Sequence, residues 1–375
     1  MKKYDIIIVG AGASGIGMAC ALRRFNISNF LVLEKGQIGD SFIKWPKTTQ
    51  FITPSFTTNG FGFPDINAVV PDTSPAFTFE KEHLSGLEYA EYLRLVAQNY
   101  QLPINTKTLV KDIKKVGNDY LVTTDKEQFL ACYLIMATGE FQNPNKTSIK
   151  GAELGMHYGE VDSFHVKSYS SFIIIGGNES GCDALTHLAY LGNEVSLYTS
   201  SFGKSETAPD PSISLSPITK ERLKHIQSNK DFNIHLFESK KATAIEKDDD
   251  QYRVIFDDGN VAYSKHRPIL ATGFKSCVHN INGISLFEYQ ENDIPLLTEN
   301  DESTIHKNIF LIGPSVRQKD VIFCYIYKFR QRLAPIIAEI AKREHWSLDE
   351  EELATYRDNH MFLDDLSCCA VSCDC

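Results

Sequence analysis

Tyr4-Asp5-Ile6-Ile7-Ile8-Val9-Gly10-Ala11-Gly12-Ala13-Ser14-Gly15 opens the chain with an apolar, β-rich run broken by glycines at G-x-G-x-x-G spacing. An unbroken apolar run predicts a buried strand; residues 16–25 then follow helical spacing, and a second apolar run occupies 30–33. Strand, turn, helix and strand make a βαβ unit. Each glycine has its own reason: Gly10 makes the tight turn, Gly12 lets the backbone approach a pyrophosphate, and Gly15 permits close helix–strand packing. The N-terminus of the helix favours phosphate charge. Glu34 ends the second strand, 24 residues after Gly10, where a carboxylate can bind the ribose hydroxyls of an adenosine. Gly10, Gly12, Ser14, Gly15, Glu34 and the adjoining Lys35 are therefore candidate nucleotide-binding residues.

The same grammar returns about 165 residues later, as a strand at 171–175, the turn Gly176-Gly177-Asn178-Glu179-Ser180-Gly181, a helix at 182–191 and a strand at 194–198. Two copies of one supersecondary unit indicate two nucleotide sites, the second using Gly176, Gly177, Asn178, Glu179 and Ser180. This loop has Asn178 where the middle glycine stands in the first. Its second strand runs into Tyr198-Thr199-Ser200-Ser201 with no carboxylate, and Lys204 follows. Ser200 and Lys204 therefore suit a 2′-phosphate, and the nucleotide expected here is NADPH.

Ala137-Thr138-Gly139 and Ala271-Thr272-Gly273 each close an apolar strand on a small-residue turn, which adds Thr138 and Gly139 to the candidate set. Between the two units, residues 40–80 are rich in Thr, Pro, Phe and Gly with little periodicity, whereas 87–98 is amphipathic and helical. Hairpin-like strands are expected at 110–116 with 120–124 and at 243–247 with 252–256, a buried strand at 309–312, and a helix from about 322 to 343. Ser347-Leu348-Asp349-Glu350 fits a capping box opening one more short helix.

With 375 residues, 42% of them hydrophobic, the chain is long enough for two domains. A formal net charge of -10 disfavours nucleic-acid and anionic-membrane partners. The apolar run at 6–9 is too short for a leader or a membrane span, so a cytoplasmic protein is expected. Of nine cysteines, Cys20, Cys132, Cys182, Cys277 and Cys324 are scattered, while Cys368, Cys369, Cys373 and Cys375 crowd the last eight residues. That distribution does not look like a secreted disulfide framework.

In this order, the motifs resemble the pyridine nucleotide–disulfide oxidoreductase superfamily over about residues 4–343. Two groups within it are similar. The flavin-containing and Baeyer–Villiger-type monooxygenases, with their cation-efflux-associated relatives, are suggested by Gly39-Asp40-Ser41-Phe42 with Trp45, Thr53-Pro54, Phe63-Pro64 and Leu102-Pro103-Ile104. The bacillithiol-disulfide reductases are suggested by Trp45-Pro46, Gly151-Ala152-Glu153-Leu154 with His157-Tyr158, and Ile322-Phe323 followed by Lys328-Phe329. The resemblance implies an α/β fold of two dinucleotide-binding, Rossmann-like domains with the NADPH domain inserted in the FAD domain. FAD is assigned to 1–145 with 274–345 and NADPH to 146–273; 346–375 forms a C-terminal helix and Cys-rich tail. It also implies FAD contacts at Gly313; Trp45 and Phe51 are candidates to wall the flavin, with core packing as the alternative.

Departures from these patterns narrow the chemistry. No C-x-x-C or C-x4-C pair lies near either glycine loop, Ser14 stands where bacillithiol-disulfide reductases carry a cysteine, and Val161 breaks the F-x-G-x-x-x-H fingerprint of flavin monooxygenases. Pro314 follows Gly313 in place of the usual aspartate. Leu366-Ser367-Cys368-Cys369-Ala370 resembles the C-terminus of mercuric reductases, where a vicinal pair hands a thiophilic ion toward the flavin. Cys368 and Cys369 are accordingly the candidate catalytic pair, and with Cys373 and Cys375 they form a candidate metal-ligand set. The expected activity is NADPH-dependent, FAD-linked reduction of a disulfide, a low-molecular-weight sulfur species or a thiol-bound metal. A flavin monooxygenase and a metal-binding or sensing flavoprotein are the alternatives; homo-oligomerisation is left open.

Overall fold

The computed structural model describes residues 1–56, 63–166, 169–203, 212–290 and 293–367. The chain divides into two compact units, one of Met1–Ile43, Thr53–Glu140 and Ser276–Cys375, the other of Lys44–Ile52 and Phe141–Lys275. Residues 44–52, which the sequence reading puts with the N-terminal domain, thus group with the second unit.

The first unit is built on an eight-stranded sheet. Its centre is β1 (Lys2–Val9), flanked in parallel by β2 (Phe30–Leu33) and β6 (Gln128–Met136). Ile6, Ile7 and Ile8 are fully buried, as a strand covered on both faces requires. Helix α1 (Ala13–Arg24) joins β1 to β2. β3 (Ile104–Asn105) extends the sheet beyond β2, and β4 (Val110–Val116) with β5 (Asp119–Thr124) forms the expected hairpin beside β6. Between them stand α2 (Asp40–Ile43), α3 (Pro75–Phe79) and α4 (Gly86–Asn99); α4 opens on a capping box in which Ser85 and Glu88 bond each other's backbone.

The second unit holds a five-stranded parallel sheet: β7 (Met156–His157), β8 (Ser171–Ile175), β9 (Glu194–Tyr198), β10 (Ile234–Phe237) and β14 (Ile269–Leu270). Helix α5 (Glu179–Tyr190) joins β8 to β9, and α6 (Pro217–Ser228) precedes β10. A smaller antiparallel sheet of β11 (Ala242–Asp248), β12 (Gln251–Phe256) and β13 (Val261–Ser264) contains the second expected hairpin.

Back in the first unit, β15 (Asn282–Gly283) pairs β4, and β16 (Ile309–Leu311) runs parallel to β6. The helix expected from 322 is instead a short hairpin, β17 (Arg317–Gln318) with β18 (Val321–Ile322), then α7 (Ile326–Phe329), a 3-10 turn and α8 (Leu333–Glu344). Pro335 lies in the first turn of α8 and has no N–H to give the carbonyl four residues back. The N–H of Leu363 bonds that carbonyl, on Gln331, at 2.9 Å, which docks the C-terminal segment. Helix α9 (Glu350–Asp358) starts later than the Ser347 box suggests. Asp349 caps it, accepting from the N–H groups of Glu351 and Glu352, while the Glu352 side chain pairs with Arg24.

Candidate functional site

The two glycine loops repeat one geometry. Gly10 leaves β1 at a φ of +112°, and a Cβ there would lie 2.3 Å from the carbonyl oxygen of Ala137; Gly176 leaves β8 at +114° with the oxygen of Ala271 at the same 2.3 Å. A Cβ on Gly15 would fall 2.0 Å from the Gly10 oxygen, and one on Gly181 would fall 1.9 Å from the Gly176 oxygen. In each unit, then, the helix after the loop packs so closely that no side chain fits at the last glycine. The strands carrying Ala137 and Ala271 end beside the loops that they abut.

Gly12 is different. It caps α1 at φ -81° and ψ -168°, open to any residue, and a Cβ there would meet nothing within 4 Å. Its φ and ψ need no glycine, so the glycine leaves space above the loop. Helix α1 starts with no side-chain cap and no acidic residue in its first turn, leaving its positive end to a ligand anion. A phosphate-bearing cofactor fits this cradle. In the second loop Asn178 holds the corresponding cap position.

Glu34 is buried at the end of β2, its carboxylate accepting from the N–H of Ala11 and of Gly36, both at 2.7 Å. Burial pushes its carboxyl above the usual range, and the two backbone donors pull the other way. Glu34 therefore shapes the glycine loop itself, beyond the ribose contact expected of it; Lys35 beside it is exposed. Gly313, at a φ of +96°, brings the turn after β16 against Ser14, whose Oγ would lie 2.9 Å from a Cβ at 313. Thr138 Oγ1 is buried without a hydrogen-bond partner, whereas its counterpart Thr272 donates to the Asn145 carbonyl at 2.6 Å. Gly139 turns at +65° and accepts from the N–H of Cys277.

In the second unit, Gly176 and Gly177 lie in a close-packed turn. A Cβ on Gly177 would strike the Thr199 side chain at 2.7 Å. Thr199 is buried where the first unit has Glu34, and its hydroxyl is used locally, donating to the Ser201 carbonyl. Ser200 is exposed and Ser180 half-buried. Glu179 is the residue whose placement differs most from expectation. Its carboxylate accepts from the N–H of Ser216 and the Thr219 hydroxyl, so its side chain anchors the N-terminus of α6. Sequence spacing gave no warning, because its partners lie 37 and 40 residues on.

Trp45 belongs to the second unit, with ring centroids 5.0 Å from Phe51 and 6.3 Å from Phe141. Its neighbours pin the segment: Thr48 Oγ1 accepts from Phe164 N–H, and Thr49 meets the Tyr158 hydroxyl, which donates to Asp183 at 2.7 Å. His157 is fully buried, its Nδ1 accepting from Gly159 N–H and its Nε2 facing the Gly273 carbonyl at 2.9 Å. Burial lowers its pKa, and the neutral ring acts as a packed cap of the following turn.

Lys204 and the cysteines Cys368, Cys369, Cys373 and Cys375 lie outside the described residues. Among the described residues Cys20, Cys182 and Cys277 are buried, all five cysteines are free thiols, and no cluster of His, Cys, Asp and Glu could hold a metal ion. No helix among them is long and apolar enough to cross a membrane. Ser315 and Glu140, at the ends of β16 and β6, escaped the sequence reading because neither falls on a motif letter.

The profile of the pyridine nucleotide-disulphide oxidoreductases matches residues 7–313. The uncharacterized oxidoreductase CzcO of Bacillus subtilis is 25% identical over 201 residues, which spans 50% of this chain and only 52% of that protein. Bacilliredoxin reductase Bdr of the same organism is 23% identical over 348 residues, 92% of this chain and 100% of the relative. Among solved structures, bacillithiol disulfide reductase Bdr from Staphylococcus aureus superposes with a TM-score of 0.73 at 20% identity, covering 92% of this chain and 100% of that one. A flavin-containing monooxygenase from Stenotrophomonas maltophilia gives 0.68 at 16%, covering 92% and 99%. At such identities the likeness of structure establishes the fold.

Proposed function

Because this chain belongs to the pyridine nucleotide-disulphide oxidoreductase family, matched from residue 7 to 313, we propose that it is an FAD-dependent reductase driven by NADPH. FAD and NADPH are the cofactors of the family. The observation that carries the reading is the pair of glycine loops with matching close approaches, one in each unit. FAD goes to the first, where Gly12 leaves room for a pyrophosphate, Glu34 holds the loop and Thr138 offers an unused hydroxyl. Bound there, FAD supplies two-electron chemistry between a nicotinamide and an acceptor. The residues of the chain position it and shape its surroundings.

NADPH goes to the second loop, and Thr199 supports the choice. A carboxylate at that strand end would repel a 2′-phosphate, whereas Thr199 is neutral and Ser200 beside it is exposed. NADPH is expected to reduce the bound flavin at a concentration at least tenfold below that needed with NADH, followed by flavin absorbance in anaerobic titrations. Equal potency, or a preference for NADH, overturns the assignment.

The proposed acceptor is a disulfide or a thiol-bound soft metal, reached through the C-terminal cysteines. For a disulfide, NADPH and one proton give two electrons and two protons, splitting the S–S bond into two thiols. Support comes from how the chain is led toward its end. Leu363 is tied to Gln331 and Arg332, and the Leu366 carbonyl accepts from Lys319 Nζ at 3.0 Å on the hairpin that follows Ser315. Eight residues beyond Ser367 can reach roughly 25 Å, at about 3.3 Å each. Truncation after Ser367 is expected to cut turnover with disulfide or Hg(II) at least tenfold, while NADPH still reduces the flavin. Undiminished turnover would leave the tail without a catalytic role. Oxygen consumption matched by product hydroxylation would instead establish the monooxygenase reading.

A further inference from the structure

Lys220, Leu223 and Gln227 follow one another at the three- and four-residue spacing that puts side chains on one stripe of a helix, and all three line a cavity of about 330 Å³ beside α6. Leu236 and Glu238, which share one face at the end of β10, line it as well. Burial sets its depth. Leu215 and Leu223 are buried members of the core of the second unit, and Phe202 and Leu236 pack against that core, so the floor of the cavity is apolar. Lys220, Gln227 and Glu238 are exposed and form its rim. A cavity of this size, apolar below with a few polar groups above, is of the kind that holds a small ligand. None of its lining residues belongs to the second glycine loop.

The rim carries charge of both signs. Among the described residues, neither the Lys220 ammonium nor the Glu238 carboxylate makes an ion pair or a hydrogen bond, although both line the same cavity. Opposite charges that share a cavity without meeting leave room between them. A phosphate there is repelled by Glu238 and a simple amine by Lys220, whereas a zwitterion forms a charge-assisted hydrogen bond with each. The apolar floor takes the rest of such a molecule. The cavity also borders the bonds that tie α6 to the nucleotide loop. Glu179, in the first turn of α5, accepts from the Ser216 N–H and the Thr219 hydroxyl. Leu215 immediately precedes Ser216, and Lys220 immediately follows Thr219.

We propose that this cavity binds a free α-amino acid with an apolar side chain, its carboxylate on Lys220, its ammonium on Glu238 and its side chain on Phe202, Leu223 and Leu236. The bound amino acid steadies the start of α6, where Glu179 holds it, and so tightens nucleotide binding at the second loop. That second step rests on the NADPH assignment above; the binding itself does not. Coupling between two sites is reciprocal, so the nucleotide tightens the amino acid by the same factor. The reductase then draws on NADPH more readily where apolar amino acids are abundant.

The test titrates the full-length protein with L-leucine, with isocaproate, which lacks the ammonium, and with isopentylamine, which lacks the carboxylate, each followed by NMR. Leucine is expected to bind about tenfold more tightly than either analogue, the worth of one charge-assisted hydrogen bond. Lys220→Met should weaken leucine about tenfold and bring it level with isopentylamine, and Glu238→Gln should weaken it as much and bring it level with isocaproate. A merely structural role for these two residues would not sort the analogues in this way. Calorimetry with NADP+ reads the coupling. Saturating leucine is expected to lower the Kd of NADP+ about fivefold, and Thr219→Val, which removes a hydroxyl that holds Glu179, to abolish that effect while leucine still binds. No binding of leucine at about 10 mM, above the millimolar affinity expected of so small a ligand, overturns the proposal. Analogues that bind as well as leucine overturn it too, as does mutual exclusion of leucine and NADP+. Leucine that binds and leaves NADP+ affinity unchanged overturns the coupling. A parent protein that shows the leucine pattern but binds no NADP+ overturns the NADPH assignment and leaves the amino-acid site standing.

Discussion

Gly12→Val yields folded, colourless protein, and Gly15→Val yields no stable fold: that is the expected outcome of the two substitutions, only three positions apart. At Gly12 the backbone is in a region any residue adopts, and a Cβ projects into empty space. Nothing in the protein is displaced, so the apoprotein should melt near the parent, while a pyrophosphate meets the valine methyls and FAD affinity falls at least a hundredfold. At Gly15 a Cβ would lie 2.0 Å from the Gly10 carbonyl oxygen and 3.3 Å from the Ala137 Cβ. Only separation of α1 from the end of β1 relieves that contact, and α1 is buried along almost its whole length. Flavin per chain and circular-dichroism melts decide the matter. Stoichiometric FAD in Gly12→Val would mean the cofactor does not lie over this loop, and a well-folded Gly15→Val would mean that α1 can move away from the end of β1.

Asp301→Asn should remove about 3–5 kcal/mol of stability, the cost of leaving a buried charge without its partner. Asp301 is fully buried, and Oδ2 accepts from Arg332 Nε at 2.7 Å while Oδ1 accepts from Gln318 Nε2 at 2.6 Å. Arg332, itself buried, also donates to the carbonyls of Glu299 and Leu363. Asparagine keeps the shape and tolerates the left-handed backbone at 301, but leaves the guanidinium uncompensated. Against a total of roughly 5–15 kcal/mol for an ordinary domain, the loss should show as a large fall in the urea midpoint. A midpoint unchanged within error would show that the guanidinium finds water or another carboxylate. Replacing both residues by apolar ones of similar size should recover much of the loss, since the cost is that of an unpaired charge.

What could be read in the sequence was whatever short-range periodicity encodes. The run from Tyr4 to Val9, the glycine spacing after it and the return of both near Gly176 place strands, turns and helices without reference to distant residues. Gly12 and Gly15 could be ranked by role, though not by which one the protein needs for itself. Groups whose partners are remote in sequence stayed hidden. Asp65 illustrates this: where periodicity is silent, it accepts from Ser55, Ser74, Asn67 and Ala76, while Arg330 donates to its carbonyl from 265 residues away. The bonds of Glu179 to α6 and of Glu352 to Arg24 stayed hidden for the same reason. The unpaired hydroxyl of Thr138 is visible only once neighbours can be counted in space.

Residues 44–52 have a consequence for inheritance. The second unit owns a stretch of chain that precedes most of the first, and that stretch supplies Thr48 and Thr49 to Phe164, Tyr158 and Asp183. The contiguous segment 141–275 is therefore not a transplantable module: cut out alone, it would bury the Tyr158 hydroxyl and Asp183 without one of their partners. A recombination event that swapped this segment between relatives would have to carry a nine-residue strip from elsewhere in the gene, or find a recipient whose own strip already matched.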